Sequence, residues 1–271
     1  MPNAFHRLKD FLLCAAALGK SPHDKWAIFW RETKNIRVRL KMATYHPGDV
    51  YSLQTVYGPL HFRDNFGDIT NLVGLYYHQV YRPRRLPHDG VIVDIGANIG
   101  LAAALFAHYN PGRPIFCFEP LSANAALVEL NCPHATVERV ALGARQNRVT
   151  LQVDADSVMA SSITCDWDTH EETFDVIPLD AYAQEKRWDR IALMKIDTEG
   201  MELDILQGGA ATLRKTQEVV METHEQFRHD ASMRLLREAG FTIDADEFDG
   251  HTGFVFASRH PVTAPVTPSL T

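Results

Sequence analysis

From residue 91 onward, short β-branched runs alternate with small-residue or amphipathic stretches. Val91-Ile92-Val93 runs into Asp94-Ile95 and then a glycine turn, and a small-residue helix over Leu101–Tyr109 follows. The pattern predicts a second strand over 114–118, a helix over 123–131 and a third strand over 137–140. Residues 149–153 read as an edge strand, and 175–179 as a short extended piece whose Pro178 favours an edge. A fourth main strand is predicted over 191–197, a helix over 201–213 and a fifth strand over 218–222. A helix over 231–238 is predicted, capped by Asp230 and ended by Gly240. Residues 241–243 and 253–257, joined by an acidic turn, suit a terminal antiparallel pair. This alternation predicts an α/β fold: a parallel sheet covered on both faces, with an antiparallel edge.

Residues 1–90 lack that rhythm. Phe5, Leu8, Phe11, Leu12 and Ala15 share one helical face, which Gly19 and Pro22 close. Trp26, Ile28, Phe29 and Trp30 follow in a helix or loop, and residues 36–40 alternate as a half-buried strand does. Residues 50–56 read as extended, 57–62 as a turn and short strand, and 69–81 as a helix. The expected division is an N-terminal segment over 1–67, a domain over 68–260 and a loose tail over 261–271.

A chain of 271 residues that is 45% hydrophobic needs no disulfide or metal to support a core. The net charge of −7 argues against unspecific nucleic-acid binding, and Arg82, Arg84 and Arg85 form the one tight basic cluster. Cys14, Cys117, Cys132 and Cys165 fall in no CxxC or zinc spacing, which suits a reducing cytoplasm. The apolar run over 11–18 reads as an amphipathic helix, too short to span a bilayer, so no membrane span is expected. The aromatic-rich stretch over 45–81 reads as core, with a substrate wall or dimer surface as alternatives; a homodimer is expected.

The candidate chemistry gathers at strand ends. Gly96 and Gly100 flank the turn after the first strand, where backbone approaches a ligand. The middle glycine of a dinucleotide fingerprint is missing, and so is the Gly-Lys-Ser/Thr of a P-loop. Asp94 beside the turn would repel a pyrophosphate but suits an ammonium group. Glu119 ends the second strand, where an acid accepts ribose hydroxyls. Together they point to a nucleoside with a zwitterionic tail, S-adenosyl-L-methionine. Asn98 divides between turn former and ligand contact. Asp197, Glu199, Glu222 and His224 stand where the fourth and fifth strands end, and such ends line the crevice of an open α/β sheet. The alternative reading for these four is ordinary capping and ion pairing.

With Val93-Asp94-Ile95-Gly96-Ala97-Asn98-Ile99-Gly100, Phe118-Glu119-Pro120, Val140-Ala141-Leu142-Gly143, Pro178-Leu179-Asp180 and Lys195-Ile196-Asp197-Thr198-Glu199-Gly200-Met201-Glu202, followed by Leu206-Gln207-Gly208, the chain resembles the FkbM family of S-adenosylmethionine-dependent methyltransferases over about residues 68–258. The resemblance implies a class I methyltransferase (Rossmann-like) fold of seven strands with the last antiparallel, here with an N-terminal extension. It also implies O-methylation of small or secondary-metabolite substrates. Where the family more typically has His-Pro after the fifth strand, this chain has His224-Glu225.

The expected chemistry is in-line transfer of a sulfonium methyl group to a substrate oxygen. Asp94, Gly96 and Gly100 are expected to hold the methionine end and Glu119 the ribose, with Asn98 as a further cofactor contact. Adenine is expected against Leu142 and Ser162, with Asp197 as a further donor contact. Glu199 and His224 are expected on the substrate. His224 is the expected concerted base, with Asp197 and Glu222 as catalytic partners or as holders of a divalent ion; the need for a metal stays open. The acceptor expected is a small-molecule hydroxyl, the alternative a carboxylate that becomes a methyl ester. A non-catalytic binding protein and an NAD-dependent oxidoreductase are the rivals from other classes.

Overall fold

The computed structural model describes residues 4–154 and 169–259. Its central sheet has seven strands: β1 (Val91–Ile95), β2 (Ile115–Phe118), β3 (Thr136–Glu138), β4 (Ile191–Ile196), β5 (Thr216–His224), β6 (Thr242–Asp246) and β7 (Thr252–Ser258). Their order is β6-β7-β5-β4-β1-β2-β3, and β7 runs antiparallel to both β5 and β6. The chain order reverses between β1 and β4, which pair in parallel, so the crevice of this sheet opens at their carboxyl ends. Strand number and the antiparallel seventh strand are as the resemblance implied.

All six residues of β4 are buried, as a strand covered on both faces requires. On one face Val93, Met194, Ile196, Val219 and Met221 pack beneath helices that include Tyr182, Leu206 and Met233. On the other, Ile92, Leu193, Val220 and Phe256 meet Ala103 and Phe106 of the helix Leu101–Tyr109. Strand side chains alternate with period 2. Continuing that second face by two residues along each strand gives Asp94, Lys195 and Glu222. The apolar core thus turns polar at the carboxyl ends of three adjacent strands.

The N-terminal region forms a layer on this second side. The hairpin His46–Thr55/Gly58–Asp64 and the helices Ala4–Leu18, Pro22–Glu32 and Phe66–Leu72 share a core with Ile99, Leu101, Leu105 and Leu127. Asn131 holds both backbone groups of His61, at 2.6 and 3.0 Å, and Tyr76 donates to the Leu101 carbonyl at 2.9 Å. A π-helical turn, Val73–Tyr77, then brings the chain to Tyr81 and Leu86 in the sheet core.

Several expectations are corrected. Residues 36–40 are not a strand: Lys34–Arg39 is a helix, in which Arg37 lies over the Trp30 ring at 3.7 Å and donates to the Trp30 carbonyl. Alternation of arginine with apolar residues over five positions fits a short helix equally well. Leu12, expected on the buried face, is 51% exposed, while Cys14, Ala15 and Leu18 are buried. The helix expected from 231 begins at Gln226, so Asp230 lies inside it and caps nothing. The 201–213 helix is broken at Gly209 into Glu202–Gly208 and Ala210–Leu213. Gly208 is required there, because a Cβ would stand 2.0 Å from the Gly143 carbonyl oxygen. The expected edge pieces form a separate three-stranded sheet of Ala141–Leu142, Asn147–Asp154 and Thr169–Ile177. Residues 169–173, read as irregular, belong to its long hairpin. The tail over 261–271 lies outside the described residues. Among the described residues no helix is long and apolar enough to cross a membrane.

Candidate functional site

The turn after β1 is built by backbone that side chains would obstruct. Gly96 has φ 73°, and a Cβ there would stand 1.9 Å from the Asp197 carbonyl oxygen. The turn therefore lies directly against the end of β4. The amides of Gly96 and Ala97 donate to the Phe118 carbonyl at 3.0 and 3.1 Å, which ties the turn to β2. Gly100, at φ 81°, precedes the helix N-terminus, and its Cβ would meet Val128 Cα at 2.8 Å. Asn98, expected as turn former or ligand contact, is at φ 50°, and its side-chain oxygen is buried with no partner.

Glu119 faces this turn. Its Oε2 accepts from the Asn98 amide at 2.8 Å, and Oε1 accepts from the Leu121 amide at 3.0 Å and Asn124 Nδ2 at 3.3 Å. A carboxylate offers about four acceptor positions. The three bonds leave one acceptor position, on Oε2. Burial pushes the Glu119 carboxyl up to about 7, against the lowering effect of those donors. A free carboxylate is the better acceptor. Binding of S-adenosylhomocysteine is therefore expected to weaken as pH falls from 8 to 6, and E119Q is expected to remove that dependence while costing about tenfold in affinity. Calorimetry at the two pH values checks both.

Asp94 is fully buried, and its counter-ion is Lys195 on the neighbouring strand at 3.0 Å. Burial pushes the Asp94 carboxyl up and Lys195 holds it back. On Lys195, burial alone would lower the pKa; Asp94 and Asp197 outweigh it, and the ammonium is held protonated. The same ammonium donates to the Gly96 carbonyl at 2.6 Å and lies 3.8 Å from Asp197 Oδ2. Lys195 thus links the turn of β1 to the residues after β4. The sequence signal for it is a lone lysine in an otherwise apolar strand.

The second group stands beside it. Asp197 accepts from the Tyr81 hydroxyl at 2.5 Å. Glu222 is raised to about 7 by burial, then by the charge and hydrogen bond of Asp197, with His224 and Thr252 opposing. His224 Nδ1 lies 3.2 Å from Glu202 Oε1, and its Nε2 lies 3.5 Å from Glu199 and 4.0 Å from Glu222. The Glu202 hydrogen bond, with the neighbouring carboxylate charges, raises His224 to about 9 against its burial. Glu199 is a half-exposed residue at φ 51° whose carboxyl is raised mainly by burial. Glu202, quoted in the sequence motif but given no role, is buried and also accepts from the Gly200 amide at 2.8 Å.

The structure therefore brings Asp197, Glu199, Glu222 and His224 together and sets Asp94, Gly96, Asn98, Gly100 and Glu119 around the adjacent turn. Leu142 is a core residue beside Phe118 and Leu179. Ser162 lies outside the described residues. Among the described residues no set of three or more His, Cys, Asp or Glu side chains is arranged to hold a metal ion. An open concavity of about 560 Å³, lined by Gly90, Trp188 and Arg190, lies at the opposite, amino-terminal ends of β1 and β4 and touches none of these groups.

The family model described as the methyltransferase FkbM domain matches residues 94–243. Among curated proteins, the chain is 28% identical over 207 residues to the AMB antimetabolite synthetase AmbE of Pseudomonas aeruginosa; the match covers 58% of this chain and 10% of that protein. It is 28% identical over 166 residues to the 2-O-methyltransferase NoeI of Sinorhizobium fredii, covering 54% of this chain and 68% of that one. Among solved structures, an Aeropyrum pernix fibrillarin in complex with S-adenosyl-L-methionine aligns at TM-score 0.40 and 9% identity, over 65% of this chain and 67% of that one.

Proposed function

The chain belongs to the FkbM methyltransferase family, and from that premise we propose that it is an S-adenosyl-L-methionine-dependent O-methyltransferase acting on a hydroxyl of a small molecule or secondary metabolite. The carrying observation is the charge beside the donor turn. Among the described residues, Asp94, Asp197, Glu199, Glu202 and Glu222 face two cations, Lys195 and His224. Such a surplus of acid repels a carboxylate acceptor and offers a proton acceptor to a hydroxyl. The reading also agrees with the printed name of NoeI.

The residues at the turn fit the donor. The unpartnered Asn98 oxygen and the free position on Glu119 Oε2 are polar groups awaiting a ligand. Bound there, S-adenosylmethionine would supply an electrophilic methyl group on sulfur. Gly96 keeps the turn low against β4, and Glu119 takes a ribose hydroxyl. Lys195, through the Gly96 carbonyl, keeps the turn in register with Asp197. Glu222, near 7, takes the hydroxyl proton. An aliphatic alcohol lies roughly 9 pH units above it, so prior deprotonation costs on the order of 12 kcal/mol. The proton therefore moves as the methyl group arrives, and alignment supplies most of the rate. His224, an imidazolium at neutral pH, donates from Nε2 toward the acceptor or its neighbouring carboxylates rather than acting as base.

Labelled methyl donor incubated with metabolite fractions tests the assignment. The expected product label survives mild alkali, as an ether does. Label released as methanol identifies a methyl ester and overturns the hydroxyl assignment. No transfer, together with no calorimetric signal for S-adenosylhomocysteine, overturns the enzyme.

A further inference from the structure

We propose that the outer face of the N-terminal layer is a membrane-surface contact, which lays the helix Pro22–Glu32 in the headgroup zone of an anionic bilayer. Among the described residues twelve large apolar side chains are exposed, and nine of them fall between residues 12 and 66. The family-matched segment starts at residue 94, so the family pattern does not reach this face. The inference is independent of the methyl-transfer reading.

The helices Ala4–Leu18 and Pro22–Glu32 pack on one core, into which Cys14, Ala15 and Leu18 of the first and Ile28 of the second enter. The faces turned away from that core carry Leu12, Leu13, Trp26 and Trp30. Trp26 and Trp30 stand one turn apart, are 58% and 47% exposed, and stack on each other with centroids 5.8 Å apart. Arg37, lying over Trp30, brings the helix Lys34–Arg39 to the same edge. That helix ends in a turn closed by the bond from the Met42 amide to the Arg37 carbonyl at 2.8 Å, which leaves Leu40 and Met42 exposed. The tryptophans are held on a built element. Ser21 and Asp24 form a capping box with Pro22 in the first turn, and Arg31 lies over the Tyr51 ring of the hairpin at 3.8 Å. Exposed apolar side chains gathered in this way and rimmed by charge mark a contact surface.

The charge says what covers it. Residues 1–42 hold nine Lys and Arg against three Asp and Glu, whereas the chain as a whole holds 27 against 34. Lys9, Lys20, Lys25, Arg39 and Lys41 are exposed, and among the described residues no ion pair holds any of them. Arg31 and Lys34, by contrast, are taken by Asp64. Of the three acids, Glu32 is buried and Asp24 is held in the cap. Cations beside exposed tryptophan and aliphatic side chains match anionic headgroups over acyl chains. The indole rings sit at headgroup depth, the aliphatic groups reach beneath them, and the lysines meet the lipid charge. The acidic remainder of the chain is repelled by the same surface, which selects the face that lands. A second copy docked isologously would set two cationic faces against each other. A single-stranded nucleic acid would need open rings for its bases, but Trp26 and Trp30 cover each other and their neighbours are aliphatic.

Co-sedimentation of the whole chain with sucrose-loaded vesicles tests the proposal. Binding to mixed phosphatidylserine–phosphatidylcholine vesicles is expected to be at least about tenfold stronger than to phosphatidylcholine alone, and to weaken as salt is raised. W26A/W30A is expected to lower partitioning at least about tenfold by removing the interfacial rings. K20E/K25E/K41E is expected to lower it by a similar factor and to abolish the preference for phosphatidylserine. The two variants alter separate parts of the face, so either one that folds is a test by itself. No vesicle binding by the parent, equal binding to both vesicle types, or full binding by either folded variant overturns the proposal. Retention of a single-stranded oligonucleotide without vesicle binding assigns the face to nucleic acid, and a dimer dissociated by W26A/W30A without vesicle binding assigns it to a second copy; each overturns the proposal. Neither donor nor acceptor enters the measurement, so a failure here leaves the methyl-transfer assignment standing, and the reverse also holds.

Discussion

Lys195→Met is expected to lower the unfolding free energy by about 3–5 kcal/mol, a large share of a domain's total. Asp94 and Lys195 are both almost wholly shielded from water and lie side by side in the register of β1 and β4. Methionine matches the lysine stem in length and apolar character, so packing is kept while the charge goes. What remains is a carboxylate at zero exposure with no counter-ion, which costs more than the ion pair was worth. The Gly96 carbonyl loses its donor in the same step. Urea denaturation at neutral pH measures the loss. The pH dependence fixes its origin. An unpaired buried Asp94 has its pKa raised above the unfolded value, so the variant is most stable below that unfolded value and weakens as pH rises through the folded one. The double variant D94N/K195M is expected to recover most of the stability at pH 7, but not donor binding, because the turn is no longer held to β4. A K195M deficit that is equal at pH 5 and pH 8 would sink the ion-pair explanation.

The same pair shows where a linear reading of this chain succeeds and where it stops. Asp94, Gly96, Gly100 and Glu119 were legible because a strand, a glycine turn and a strand-end acid are local patterns, each read within a few residues. Asp197, Glu222 and His224 were legible as strand-end residues, since period 2 carries the Leu193 and Val220 face forward to them. Their protonation was not legible. The carboxylate that raises His224 comes from Glu202, 22 residues earlier, on Nδ1. Tyr81 carries no sequence signal, because its bond spans 116 residues. Residues 36–40 misled for a different reason: five alternating positions are too few to separate a strand from a helix whose arginine folds back onto Trp30. The three-stranded side sheet was seen only in pieces, since its long hairpin joins residues on either side of 155–168.

Glu222→Gln is expected to cut turnover by about 10²–10⁴-fold, the usual worth of a positioned proton acceptor. The amide keeps the Thr252 contact but cannot take a proton. Before substitution, the rate is expected to climb as pH rises and to level off above about 7, where Glu222 is ionised. A neutral His224 in that role predicts a different curve. With its value near 9, only about 1% of the imidazole is unprotonated at pH 7, so the rate would keep climbing to pH 9. The neighbours then serve as internal controls. His224 lowers the Glu222 value, so H224Q is expected to move the limb upward while leaving much of the plateau rate. Asp197 raises it, so the limb of D197N is expected to move downward. Opposite displacements by two residues flanking one carboxyl are hard to obtain unless that carboxyl carries the titration. A limb that moves the same way in both variants, or one that survives E222Q, assigns the proton to another group.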